Sequence, residues 1–163
     1  MKKSLEINEN KAYELYPTAS PEFKQVLEDT FGREFFNRKI TDRVKTYEDA
    51  CAVLGIDPHA SMPDTSDCPK EDKRAYIAFH KLVVITRALN EGWRPDWSNA
   101  GQPKWFNWWY TNGNAGLACA PSYDAPSFAY AYFGSRLCFK SEALADYAAE
   151  TFKELYEEYL MFK

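Results

Sequence analysis

Lys104-Trp105-Phe106-Asn107-Trp108-Trp109-Tyr110-Thr111 (KWFNWWYT), followed by Asn112-Gly113, marks the point where the pattern of this chain changes. Aromatic density of this kind favours a strand, and Asn-Gly supplies the positive-φ positions of a tight hairpin. Gly116 to Ala120 reads as the return strand, and Pro121 to Pro126 as a turn-rich bend. Phe128, Tyr130 and Tyr132 then alternate with Ser127, Ala129 and Ala131, a period of two that a helix does not need. Arg136 to Lys140 (RLCFK) continues extended, with Leu137 and Phe139 on one face; it is either a separate strand or the far half of a bulged one. The expectation is a small antiparallel sheet of about three to four strands over residues 104–140.

On the N-terminal side of this sheet the signals are helical. Residues 8–16 form a short helix that Pro17 ends. Ser20 is an N-cap, Pro21 takes the favoured first position, Gly32 is the stop, and Phe23, Val26, Leu27 and Phe31 form a stripe between them. Thr46 and Asp49 have the spacing of a capping box for a helix that closes at Gly55. Residues 56–69 carry three prolines and read as a loop. A central helix is predicted over 69–91, with Pro69 in its first turn, Gly92 as its stop, and apolar residues on more than one side. On the C-terminal side, Ser141 caps an amphipathic helix whose stripe is Leu144, Ala148, Phe152, Leu155, Tyr159 and Phe162. The fold class is therefore α+β: N-terminal helices, the sheet, and a C-terminal amphipathic helix packed together in a single domain, 1–163.

Composition bounds the function. A length of 163 residues suits one domain, and 17% aromatic residues supply large buried areas. The net charge of −4 and pI near 5.3 argue against broad electrostatic capture of nucleic acid, which needs Lys and Arg against phosphate. Apolar runs such as Leu82 to Ile85 are far shorter than the ~20 residues of a membrane span. Met1-Lys2-Lys3 is followed by Glu6, Asn8 and Glu9 instead of an apolar run, so no export signal is read and a cytoplasmic location is expected. Cys51, Cys68, Cys119 and Cys138 lack CxxC spacing and are joined only by His59 and His80, so free thiols are expected, with no metal and no cofactor.

All five tryptophans, Trp93, Trp97, Trp105, Trp108 and Trp109, fall between residues 93 and 109. In the strand, positions 104, 106, 108 and 110 carry Lys, Phe, Trp and Tyr, and positions 105, 107, 109 and 111 carry Trp, Asn, Trp and Thr. Both faces are aromatic. One serves the core; the other is covered by the loop from Gly92 to Pro103, by a partner or by a ligand. Arg94, Lys104, Arg136 and Lys140 lie close by in sequence, and aromatic faces with cationic neighbours hold bases by stacking. A second basic stretch, Arg33 to Lys45, holds five basic and two acidic residues, against two basic and six acidic in 142–163. This asymmetry is either two solvated faces or a means of orienting a partner.

No nucleophile elbow, Walker loop, dinucleotide glycine pattern or H-E-x-x-H occurs. Asp96, between Trp93 and Trp97, is the acid most open to an apolar rise in pKa, unless it is simply a turn residue after Pro95.

Gly92-Trp93-Arg94-Pro95-Asp96-Trp97-Ser98-Asn99 and Gly134-Ser135-Arg136-Leu137-Cys138-Phe139-Lys140-Ser141, with Ala145-Asp146-Tyr147-Ala148, Phe152 and Thr46 to Gly55, resemble a group of small uncharacterised proteins associated with phages and prophages of gut Bacteroidales. The resemblance runs from about residue 40 onward. It implies a phage-associated, cytoplasmic setting in the host cell and brings no activity or catalytic residues with it.

Three functions follow as expectations. The first is a non-enzymatic binding protein that engages a host or phage protein, or a small ligand, through the aromatic-rich loop and strand. Its candidate residues are Trp93, Arg94, Asp96, Trp97, Lys104, Trp105, Trp109 and Arg136. The second is a single-stranded nucleic-acid-binding protein that stacks bases. The third is an enzyme of unrecognised type acting on nucleotides, which needs Asp96, His59 or His80 to converge with the aromatics.

Overall fold

A computed structural model describes residues 7–111, 116–124 and 135–161. They pack as two compact units, Met1–Arg43 and Val44–Lys163, and the fold class is α+β.

In the first unit, α1 (Glu9–Leu15) is followed by a 3₁₀ turn (Tyr16–Thr18), α2 (Pro21–Phe31), α3 (Arg33–Phe36) and α4 (Ile40–Arg43). The Ser20 side chain accepts from the Phe23 N–H at 3.3 Å, and Gly32, at φ +85, lets the chain turn from α2 into α3. Ala12, Leu27 and Phe35 form the buried centre. Val26, assigned to the α2 stripe, is instead 54% exposed, one position away from the buried Leu27. Three of the five basic residues of the Arg33 to Lys45 stretch are engaged inside the unit. Arg33 pairs with Glu28 at 3.1 Å, Arg38 lies over Phe35, and the Arg43 guanidinium sits 3.6 Å from the Tyr13 ring centre.

In the second unit, α5 (Tyr47–Leu54) opens on the capping box: the Thr46 hydroxyl accepts from Asp49 N–H at 3.0 Å, and the Asp49 carboxylate accepts from Thr46 N–H at 2.9 Å. Gly55 closes it in the left-handed region, at φ +66. The central helix, α6 (Lys73–Leu89), begins four residues later than its proline suggests, because Pro69 to Asp72 close a turn through a 3.1 Å backbone bond. It packs against α5 and against α8 (Lys153–Leu160), and α7 (Glu142–Thr151) packs against both strands. The expected C-terminal helix is thus two helices. They break at Phe152, whose φ of −113° and ψ of 25° leave the helical region while its side chain stays buried.

The sheet is smaller than expected. Strands β1 (Trp105–Thr111) and β2 (Leu117–Asp124) are antiparallel, and among the described residues they are the only two strands. Residues 121–124, read as a bend, belong to β2. The register shifts between Phe106 and Trp108, leaving an extra β2 residue there, and a bulge tolerates Pro121, which has no N–H to give a ladder. Residues 127–132, the third expected strand, lie outside the described residues. In the RLCFK run, Ser135–Leu137 is a 3₁₀ turn, and only Phe139 pairs like a strand, exchanging bonds of 3.0 and 2.7 Å with Trp105.

None of the four cysteines forms a disulfide among the described residues. Burial pushes the Cys138 thiol up to about 11, which leaves it un-ionised at neutral pH. Among the described residues no helix is long and apolar enough to cross a membrane.

His80, on α6, packs edge-on to Tyr47, and its buried Nε2 has no hydrogen-bond partner among the described residues. Burial, helped by Arg87, holds its pKa below the ordinary histidine value. The unfolded state takes up a proton near pH 6.5 while the native state still refuses it, so stability is fully present above that value and falls as pH drops below it. Urea unfolding followed across this range should show that slope, and His80→Leu should flatten it. An unchanged slope in the variant would assign the effect elsewhere.

Candidate binding cleft

The geometry that matters begins at the end of α6. Glu91 (φ +48) and Gly92 (φ +86) are consecutive left-handed residues, and they reverse the chain so that residues 93–97 return alongside the last turn of the helix. A non-glycine residue held at positive φ is uncommon, and the surroundings show what holds Glu91 there. Its carboxylate pairs with the Lys140 ammonium at 2.7 Å. Beside it the buried Asn90 donates from Nδ2 to the Cys138 carbonyl at 2.7 Å and accepts the Lys140 N–H at Oδ1, 3.0 Å. Two neighbouring side chains therefore clamp the end of α6 to the segment that follows Arg136.

Between these parts lies an open cleft of about 400 Å³. One wall is a face of α6: Val83, Thr86, Arg87 and Asn90, at i, i+3, i+4 and i+7. The loop supplies Trp93, Arg94, Pro95 and Trp97, and Arg136 comes from the 3₁₀ turn. Both indoles are half-buried and the three arginines are exposed. Among the described residues none of these guanidinium groups has an ion-pair or hydrogen-bond partner. Thr86 is 2% exposed, and its buried hydroxyl has no partner among the described residues. Among the described residues the lining contains no carboxylate, imidazole or thiol. Its chemistry is recognition: three positive charges, two aromatic faces and one unsatisfied hydroxyl.

Four of the eight residues singled out in the sequence, Trp93, Arg94, Trp97 and Arg136, thus meet in one place. The other four do not join them. Asp96 braces the loop, accepting from the Ser98 N–H at 2.9 Å and the Ser98 hydroxyl at 2.6 Å. These bonds hold its carboxyl below its ordinary pKa, the opposite of the rise an apolar setting would cause, because the group is exposed and hydrogen-bonded in its charged form. Lys104 is completely buried. Its ammonium donates to the carbonyls of Asn99 (3.0 Å) and Gln102 (2.8 Å) and lies 5.6 Å from the Trp97 ring centre, so it fastens the loop behind the cleft. Trp105 pairs through its backbone with Phe139. Trp109 packs at a tilt against the buried Tyr156, ring centres 4.7 Å apart, and the neighbouring Asn107 is bonded to the Ala145 carbonyl and the Tyr156 hydroxyl. That face of β1 is covered by α7 and α8, whereas Trp108 and Tyr110 are 40% and 52% exposed. Neither His59 nor His80 lines the cleft.

Comparison with known protein families, with curated proteins and with solved structures finds no match to this chain.

Proposed function

We propose that this protein is a non-enzymatic binding protein, phage-associated and acting in the host cytoplasm, that captures a small anionic ligand in the cleft between α6, the 93–97 loop and Arg136. The observation that carries the reading is the local inversion of charge. In a chain of net charge −4, three arginines that are unpaired among the described residues converge on one concavity, and no described acid lines it. Guanidinium groups suit anion recognition because their planar forks present several donors at once. A volume of about 400 Å³ lies within the ~300–1,000 Å³ range of small-molecule sites. Between the expected partners, these dimensions favour a small ligand over a protein. A second reading, single-stranded nucleic acid, draws on the exposed Trp108 and Tyr110, which offer further stacking surface on β1.

Naphthalene-2-sulfonate, a planar monoanion, probes the cleft without presuming the natural ligand. Titrated at low ionic strength, it should quench tryptophan fluorescence with saturation. The double variant Arg94→Ala with Arg136→Ala should weaken its binding about tenfold or more, since charged hydrogen bonds are worth about 1.5–3 kcal/mol each. Trp108→Ala should leave the affinity unchanged. Quenching without saturation, or equal in wild type and the double variant, would refute the cleft as the ligand site.

A further inference from the structure

Resting on the cleft being a ligand site, we infer that its ligand is a nucleoside monophosphate: a planar base lying against the Trp93 and Trp97 indoles, with its phosphate among Arg87, Arg94 and Arg136. Three features narrow the chemistry to this class.

The first is the balance of charge. A carboxylate or sulfonate offers one negative charge and is fully met by a single guanidinium fork. Three guanidinium groups on three separate elements, with no acid lining the site, fit a group that carries close to two charges and three exposed oxygens. A terminal phosphate is such a group.

The second is the pair of indoles on the same lining. Aromatic faces in a cationic site select a π-system beside the anion, which inorganic phosphate and sugar phosphates lack. Thr86 supplies one buried hydroxyl without a partner, which a ribose hydroxyl or a base edge would satisfy. The Asn90 amide is occupied at both ends by the 138–140 segment and does not read the base. One hydroxyl gives little discrimination between bases, so purine and pyrimidine monophosphates should differ mainly through stacking area.

The third is that the positive charge stops at the cleft. Lys140 is paired with Glu91 and Lys104 is buried beneath the loop, so among the described residues neither of these neighbouring lysines extends the charge along a path on which a strand could lay successive phosphates. The free mononucleotide is therefore the source of this chemistry that the surroundings favour over an oligonucleotide.

The test compares AMP, adenosine, inorganic phosphate and an oligoadenylate without a terminal phosphate by calorimetric titration of the full chain at low ionic strength. AMP is expected to bind at least about tenfold more tightly than adenosine or phosphate alone. Arg136→Ala should weaken AMP about tenfold while leaving adenosine unchanged, and Trp97→Leu should weaken AMP while leaving phosphate unchanged. Arg136→Lys keeps the charge without the fork and should fall between wild type and Arg136→Ala. Circular dichroism and thermal melting accompany every variant, and because Arg136 is exposed its two variants keep the comparison valid should Trp97→Leu not fold. AMP no tighter than phosphate, with naphthalene-2-sulfonate still bound in an arginine-dependent way, would overturn the nucleotide and leave the anion cleft standing. Absence of binding by both probes would remove the cleft reading and this inference with it. An oligoadenylate bound more tightly than AMP would overturn the mononucleotide in favour of a strand.

Discussion

Phe139→Ala is expected to lower the stability of the Val44–Lys163 unit by about 3–5 kcal/mol, the usual range for truncating a fully buried phenylalanine. Phe139 is 0% exposed and among the largest fully buried side chains of the protein, so little of the lost volume can be refilled by neighbours already in place. Among the described residues its backbone is also the only strand-like link between β1 and the segment that carries Arg136, through the two bonds with Trp105. A loss of this size is a large share of the ~5–15 kcal/mol that holds an ordinary domain together. All five tryptophans lie in this unit, so their fluorescence during urea unfolding reports on it and not on Met1–Arg43. Tyr110→Ala, at a half-exposed position of β1, should by comparison change the midpoint little. A shift below about 1 kcal/mol for Phe139→Ala would mean that the core does not close around this ring. Where the variant stays folded, naphthalene-2-sulfonate affinity should fall as well, because Arg136 loses the anchor three residues after it.

Helix boundaries were largely legible in the sequence because they rest on local chemistry. Ser20 with Pro21, and Thr46 with Asp49, satisfy the first N–H groups of a helix wherever it lies in the fold, and the structure forms both caps. Pro69 shows the limit of such signals: the residue suits a first turn, yet the chain made a separate turn before α6 began. The sheet was less legible because strand pairing is non-local. Period-two alternation cannot reveal that β2 carries an extra residue opposite Phe106 and Trp108, and that bulge decides that Phe106 and Asn107 are both buried in succession. The tryptophan concentration lies beside the cleft, but four of the eight residues singled out with it do not line that cleft. Lys104 looks like a rim cation in the sequence and is a buried fastener; of the two readings open to Asp96, an acid in apolar surroundings or a turn residue, the structure forms the second. Arg87, Thr86 and Asn90 lie off the apolar stripe by which α6 is recognised in the sequence. Their signal was present: 83, 86, 87 and 90 share one side of a helix, and that side ends beside the tryptophan loop. Knowing that the loop returns along it required the two left-handed residues, only one of which is a glycine.

Asn90→Asp should turn the clamp beneath the cleft into a pH-dependent one. The native amide donates to the Cys138 carbonyl and accepts the Lys140 N–H, both from a residue 4% exposed. An ionised aspartate in its place can still accept from Lys140, but its other oxygen would face the Cys138 carbonyl, buried and repelled. We expect a loss of about 3–5 kcal/mol when the group is charged, as for other unpaired buried charges. Protonation restores a donor of nearly the same shape, so the folded protein should hold the new carboxyl above its unfolded pKa of about 3.9. A raised pKa means that the native state binds the proton more tightly: the variant should approach wild-type stability below the unfolded value and lose it progressively as pH rises through the folded one. Asn90→Ala, which removes both bonds and adds no charge, should lose about 2–4 kcal/mol at every pH. The difference in urea unfolding free energy between each variant and wild type, measured from about pH 4 to 8, separates the two. Parallel, flat differences for both variants would mean that Asn90 is not clamped as described. Because the same two bonds set Arg136 opposite Trp93 and Arg94, the Asn90→Asp variant should bind naphthalene-2-sulfonate more weakly at pH 8 than near pH 5, whereas wild type, whose cleft lining carries no group that titrates between those values, should not.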